Sequence, residues 1–315
     1  MNLSAPKIAK LESEMEQQSL VPLWKVYERV VTHEPSLDAP SQLWRWRDLE
    51  RAVKLTTELV HGKDADHRVL VLKHPKLAPR VATTNNILAA VQCVLPGERT
   101  SPHRHTPAAV RLVLEGSGGG TFVDGVRCEM QSGDFIVTPN WTWHCHENDS
   151  SAPVTWVDIL DVPLVRAANA VFGDMGPVKA YPEVPPGSQF RYAWNQTVER
   201  LAAAPDNDGV KTIRYTNPRG GGPVLATLDA SVVEIEKGKA TRPMRASASQ
   251  LCVVIEGGGS SGIGEARHDW SARDIFTMPE WNWIEHRATR GRARLLVISD
   301  RNFRSFLGLY REEFQ

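Results

Sequence analysis

The chain repeats itself once, and that repeat limits its fold more than any other feature. VLEGSGGGT at Val113–Thr121 returns as VIEGGGSSG at Val254–Gly262, 141 residues later. TPNWTWH at Thr138–His144 returns as MPEWNWI at Met278–Ile284, 140 residues later, and GDFIVTP before it matches RDIFTMP. Two related units of roughly 80 residues follow. Each reads as β structure, with short apolar segments such as Arg111–Leu114, Phe135–Thr138 and Val154–Ile159. Turn signals split them at Pro96-Gly97, Gly118-Gly119-Gly120, Asp124-Gly125 and Ser132-Gly133. Strands at roughly 8–12-residue spacing predict a small sandwich or jelly-roll barrel in each unit. The Gly116–Gly120 run lacks the Lys-Ser/Thr of a phosphate loop and reads as a hairpin connection.

The flanks read differently. Apolar positions at Leu11, Met15, Leu20, Leu23, Val26 and Val30 suit an amphipathic helix over Ala9–Val31, broken near Pro22. Leu43–Leu59 is similar, which gives a helical arm over residues 1–65. Pro177–Gly222, rich in Pro and Gly, reads as the connection between the units, with one helix near Gln196–Ala204. The divisions expected are an arm (1–65), a first unit (66–165), a connection (166–222), a second unit (223–302) and a tail (303–315). The 37 basic and 37 acidic side chains cancel, which argues against a surface built for nucleic acid or anionic lipid. No apolar run approaches the ~18 residues of a membrane span, and the N-terminus lacks an apolar signal core. Cys93, Cys128, Cys145 and Cys252 are far apart and form no CxxC pair, which fits a reducing cytoplasm.

The chemistry lies in the first unit. His103 and His105 are two apart, so on a strand both face the same way. In GDFIVTPNWTWHCHEN, Thr142, His144 and His146 share one face, and Trp141, Trp143 and Cys145 the other. Three imidazoles from two neighbouring strands can meet inside a barrel. Such a set suits iron, zinc, copper or nickel and leaves positions open. Trp141 and Trp143 are expected to be packing residues.

Gly97-x5-His103-x-His105 and Gly133-x5-Pro139-x4-His144-x3-Asn148 resemble the two cupin motifs. More closely, HRHTPAAVRLVLEG with TPNWTWHCHEN resembles the gentisate 1,2-dioxygenase family, which includes salicylate, 5-nitrosalicylate and 1-hydroxy-2-naphthoate dioxygenases. LVPLWKVYERVV, LWRWRDLERAV, DHRVLVLKHP, ILAAVQCVLPGE, TRPMRASASQLCVVIEG and LGLYREE extend the likeness over most of the chain. The resemblance implies a mainly β bicupin, two jelly-roll barrels behind an N-terminal helical arm. It implies one Fe(II) per subunit held by His103, His105 and His144. Where cupins usually carry a ligand glutamate, this chain has Ala109, Val110 and Arg111. A substrate with ortho carboxylate and hydroxyl groups would bring the missing oxygens. O2 would then be inserted between the two carbons that carry them, giving maleylpyruvate from gentisate. The resemblance also implies a homotetramer or dimer.

Arg111 shares the parity of His103 and His105, and its fork matches a substrate carboxylate, the role the family gives the matching arginine. Arg68 is either a second pocket arginine or half of a salt bridge. Gln92 faces the same region as a hydrogen-bond donor. His146 is either a fourth ligand or, preferred here, a proton carrier with a near-neutral pKa. Asp158 either orients His146 or a ligand histidine, or accepts a hydrogen bond at a strand end. Leu88 stands where many relatives carry a bulky aromatic, with Ala90 beyond. It either widens the pocket towards 5-substituted salicylates such as 5-nitrosalicylate, or towards a naphthoate, or is a packing exchange.

The second unit has Met244-Arg245-Ala246 in place of the His-x-His and Ile284 in place of His144; His286 matches His146. It is expected to be a metal-free scaffold. Three functions compete: a ring-cleaving dioxygenase on gentisate or a substituted salicylate, with 1-hydroxy-2-naphthoate as alternative; a non-catalytic metal-binding bicupin; and another cupin enzyme, against which the absent glutamate speaks.

Overall fold

The computed structural model describes residues 5–35, 39–62, 66 and 68–315. Residues 1–4 of the expected arm, and its expected end at residue 65, lie outside the described residues. The described residues are mainly β, with 22 strands in four antiparallel sheets and six α-helices. No helix among them is long and apolar enough to cross a membrane.

The chain divides into two compact units after residue 36. The first, taken by itself, holds two helices, Ala5–Gln17 and Leu23–Val30. Pro22 caps the second, where its fixed φ suits a helix start, so the break falls where the sequence places it. A Lys25–Glu12 ion pair joins them.

The second unit contains both barrels. The first barrel has a six-stranded sheet in the order Arg191–Tyr192, Phe135–Thr138, Ala109–Glu115, Val154–Leu160, Leu88–Val94, Val69–Val71. Its five-stranded sheet runs Gly173–Met175, His103–His105, His144–Asn148, Ser117–Val123, Val126–Gln131. The second barrel repeats the plan, and Leu88–Val94 matches Asp229–Ile235 residue for residue in pairing register.

Three cores result. Alternate residues of each six-stranded sheet point inward: Val94, Val113, Ile136, Val154 and Trp156 fill the first barrel, and Ile235, Cys252, Val254, Phe276 and Leu295 the second. The other face of each sheet joins a shared core between the barrels, including Val91, Leu112, Val157, Val232, Leu251 and Leu296. These strands are buried on both faces and read as nearly continuous apolar runs.

Two short strands cross over. Leu43–Trp44, which precedes the first barrel in sequence, pairs with Ile275–Met278 of the second. Arg191–Tyr192, which precedes the second, pairs with Phe135–Thr138 of the first. Each leads into a helix, Trp46–Leu59 and Trp194–Ala203, whose first amide is held by an aspartate: Asp274 accepts from Trp46 and Asp134 from Trp194. The first helix buries Trp46, Leu49 and Val53, one stripe at helical spacing, and packs on Leu88–Val94. The segments expected as an arm and a connection thus contain a further pair of matching strand–helix elements. Residues 43 and 44 are strand where a helix is expected.

The glycine run is also corrected. Gly116 is the corner, with φ at +93°, and a Cβ there would stand 2.5 Å from the Pro153 carbonyl oxygen. Ser117–Val123 is a barrel strand rather than a hairpin connection. A Cβ at Gly119 would press Val154 Cγ2 at 3.1 Å, so close packing accounts for the glycine there.

Candidate metal centre

His103 and His105 leave the same face of one short strand, and His144 begins the next, with His103 directly opposite His144 in register. The tight spacing follows from that pairing: the ring centroids lie 4.2 Å apart for His103 and His144, 4.8 Å for His105 and His144, and 5.7 Å for His103 and His105. One ligand atom from each lies within 4.8 Å of the others.

Each ring is oriented by its own backbone. His103 Nδ1 bonds Ser101 O at 3.0 Å, His105 Nδ1 bonds Pro107 O at 2.7 Å, and His144 Nδ1 bonds Thr142 O at 3.0 Å. A carbonyl oxygen only accepts, so Nδ1 carries the proton in all three and Nε2 keeps its lone pair. Burial lowers the His105 pKa to about 4, and burial followed by the Arg111 charge pushes His144 well below its ordinary value. The His105 and His144 rings are therefore neutral at pH 7. Three imidazole nitrogens converging on one point fit a divalent transition ion.

The short strand that carries His103 and His105 is clamped from outside. The Arg104 guanidinium lies 4.4 Å from the Trp141 ring centroid and 4.8 Å from that of Trp143, and pairs with Asp174 at 2.6 Å. Trp141 and Trp143 are thus half-exposed plates around an arginine rather than core packing. Arg245 repeats the arrangement with Trp281, Trp283 and Glu313.

The three histidines open on a cavity of about 160 Å³ lined also by Leu88, Ala90, Gln92, Arg111, His146 and Asp158. Arg111 is 3% exposed. Its Nε lies 2.6 Å from Asp158 Oδ1, directly across the strand pair, and its Nη1 bonds Thr138. Nη2 has no partner among the described residues.

Several site expectations change. Arg68 does not line this cavity; it pairs with Glu98 at 2.5 Å and donates to the carbonyls of Val60 and Cys93, so the salt-bridge reading holds. Asp158 orients neither His146 nor a ligand histidine. It faces Arg111 and accepts from Trp156 Nε1 at 2.8 Å. Burial raises its carboxyl pKa against the pull of Arg111. His146 lies outside the cluster of three, its ring 6.3 Å from that of His144, with Nδ1 3.0 Å from Thr121 Oγ1. Complete burial, then Arg111, pushes its pKa well below the near-neutral value expected. Asp66, Val69, Val71, Thr100 and Leu160 complete the wall. Sequence reading missed them and Thr138, although the alternation of 69, 71 with 88, 90, 92 carries the signal.

Two barrels with one converging histidine set define a bicupin. Residues 90–160 match the cupin domain family (Cupin_2). The chain is 32% identical to gentisate 1,2 dioxygenase 1 of Aquipseudomonas alcaligenes, over 95% of this chain and 94% of that protein. It is 30% identical to the 5-aminosalicylate 1,2-dioxygenase of a Comamonas species, over 96% and 89%. Among solved structures, a mutant of the Pseudoaminobacter salicylatoxidans salicylate 1,2-dioxygenase in complex with gentisate superposes with a TM-score of 0.92 at 26% identity, covering 100% of this chain and 97% of that one. The chain belongs to the gentisate 1,2-dioxygenase family and is an aromatic ring-cleaving dioxygenase of the gentisate and salicylate type. The reading as a non-catalytic bicupin gives way to that membership.

Proposed function

We propose that this enzyme uses Fe(II) and O2 to cleave a 5-substituted salicylate between its carboxyl-bearing and hydroxyl-bearing ring carbons. The observation that carries the proposal is the trio of Nε2 lone pairs from His103, His105 and His144 beside the buried, half-committed fork of Arg111. Those three histidines would hold the metal. Bound iron would supply an electrophilic centre able to take up O2 and an ortho hydroxy acid together.

The protein's own residues bind and orient. Asp158 and Thr138 fix Arg111, and its free Nη2 would take the substrate carboxylate. Gln92 would donate to a ring substituent, while Leu88, Ala90, Val71 and Leu160 would hold the ring and exclude water. His146, neutral and fully buried, would serve as a hydrogen-bonding wall rather than a charged proton carrier. Gentisate and 5-aminosalicylate, named for two relatives, are both salicylates with a polar group at ring position 5.

The test is oxygen uptake after anaerobic reconstitution with Fe(II), offering gentisate, salicylate, 5-aminosalicylate, 5-nitrosalicylate and 1-hydroxy-2-naphthoate in turn. Ring loss is followed by ultraviolet absorbance. One O2 consumed per ring with a 5-substituted salicylate is expected. No uptake by protein that holds one iron per chain would overturn the proposal.

A further inference from the structure

A larger cavity lies in the other barrel. It measures about 580 Å³, against about 160 Å³ at the histidine cluster, and falls in the range of small-molecule sites. It occupies the equivalent place: Asp229, Ser231 and Val233 stand where Leu88, Ala90 and Gln92 line the first cavity. Met244, Ala246 and Ile284 stand where the first barrel has its three histidines, and they leave the space open. Met244, Ile284, Met278 and Val297 form apolar walls, and Tyr310 and Phe314 of the C-terminal segment border it.

Two polar groups in this lining have unmet hydrogen-bond capacity. Gln250 is 8% exposed, and its amide nitrogen is buried without a hydrogen-bond partner. A buried orphan donor is destabilising, and such groups in native proteins call for an explanation. His286 is the second. Trp270 Nε1 donates to Ser261 Oγ at 2.8 Å, and Ser261 Oγ lies 2.7 Å from His286 Nδ1. Ser261 is fully buried, and among the described residues its hydroxyl has no other acceptor than Nδ1. The proton of His286 is thereby assigned to Nε2, which has no partner among the described residues. Full burial, which lowers the His286 pKa to about 4, keeps that ring neutral. Of the charged groups in the lining, Asp229 pairs with Arg214 at 2.6 Å and Glu312 with Arg301 at 3.5 Å, and Arg242 Nε donates to the Gln315 main-chain oxygen at 2.6 Å. What the Gln250 amide and the His286 Nε2 lack is an acceptor.

We propose that the second barrel is a binding site for a small, largely apolar molecule bearing an acceptor oxygen, which Gln250 and His286 would hold while its body fills the space among Val233, Met244, Ile284 and Val297. The site is separate from the histidine cluster and does not depend on the reaction proposed there.

The iron-loaded, full-length protein would be titrated with 4-fluoroacetophenone, 4-fluorobenzoate and fluorobenzene, followed by fluorine NMR. The ketone and the carboxylate separate a neutral from a charged acceptor; fluorobenzene has none. Saturable binding of the ketone or the carboxylate, at least tenfold tighter than fluorobenzene, is expected. Gln250→Leu should weaken it about tenfold, and Val233→Phe, which fills the space, should abolish it. Both variants should retain ring-cleaving turnover, which also reports that they fold. Equal binding to Val233→Phe, equal affinity for fluorobenzene, or no binding by any probe would overturn the proposal. If Val233→Phe does not fold, Gln250→Leu carries the test, and unchanged affinity there overturns it.

Discussion

Replacing Asp158 with asparagine tests the electrostatic design of the pocket. Arg111 and Asp158 are 3% and 9% exposed at their side chains and 2.6 Å apart. Removing one member of a buried ion pair costs about 3–5 kcal/mol, because the remaining charge is left without compensation. Asparagine keeps the size of the side chain and an oxygen for Trp156 Nε1, so the lower end, about 3 kcal/mol, is expected. Against a total stability of about 5–15 kcal/mol, that lowers Tm on the order of 5–10 °C. A substrate carboxylate on Arg111 would restore a counter-charge. Anaerobic thermal melts of the iron-loaded variant should therefore rise more with saturating gentisate than wild type does. Arg111→Leu combined with Asp158→Leu removes both charges and should recover most of the lost Tm while abolishing turnover. A wild-type Tm for Asp158→Asn, or a gentisate-induced rise no larger than that of wild type, would refute the reasoning.

Three further outcomes follow from the geometry. His105→Ala should lose bound iron, read by metal analysis after desalting; full iron content would remove His105 from the ligand set. Arg104→Ala should release the strand between Trp141 and Trp143 and weaken Fe(II) retention against a chelator about tenfold, whereas Arg104→Lys should recover part of it. The third concerns pH. His286 has a folded pKa of about 4, below the ordinary 6.5, so the unfolded chain binds the extra proton first and stability falls as pH drops from about 6.5 towards 4. Between pH 7 and 5 that amounts to about 2 kcal/mol. In urea melts at both pH values, His286→Leu should lose that much less than wild type; equal losses would contradict the buried, neutral ring.

The barrels and the meeting of His103, His105 and His144 were legible because both rest on local periodicity. The repeat of VLEG and NWTW fixes two equal units, and the spacing of His103, His105 and His144 fixes one face. What the sequence concealed depends on pairing between distant strands. Asp158 meets Arg111 through a cross-strand register that neither segment encodes alone. Arg104 occupies the outward parity, where an arginine ordinarily meets water, and only the turn before His144 brings two tryptophans over it. The depressed pKa of His146 depends on complete burial, which spacing does not report. The matching of Leu43–Leu59 with Arg191–Ala203 is hidden in the sequence because the two segments share little beyond one tryptophan at the start of each helix.

The exchanged strands bear on how this chain is made. As it leaves the ribosome, the first barrel's six-stranded sheet lacks its edge until residues 191 and 192 emerge, about thirty residues after Leu160. Leu43–Trp44, synthesised early, waits with its pairing groups unsatisfied until Ile275–Met278 appears. Neither half can close alone, so a nascent chain halted between the barrels exposes both an open sheet edge and the apolar face of the shared core. Such a chain is a natural client for chaperones. Cutting the gene in two between the repeats would give fragments that fold only when expressed together, each supplying the border strand the other lacks.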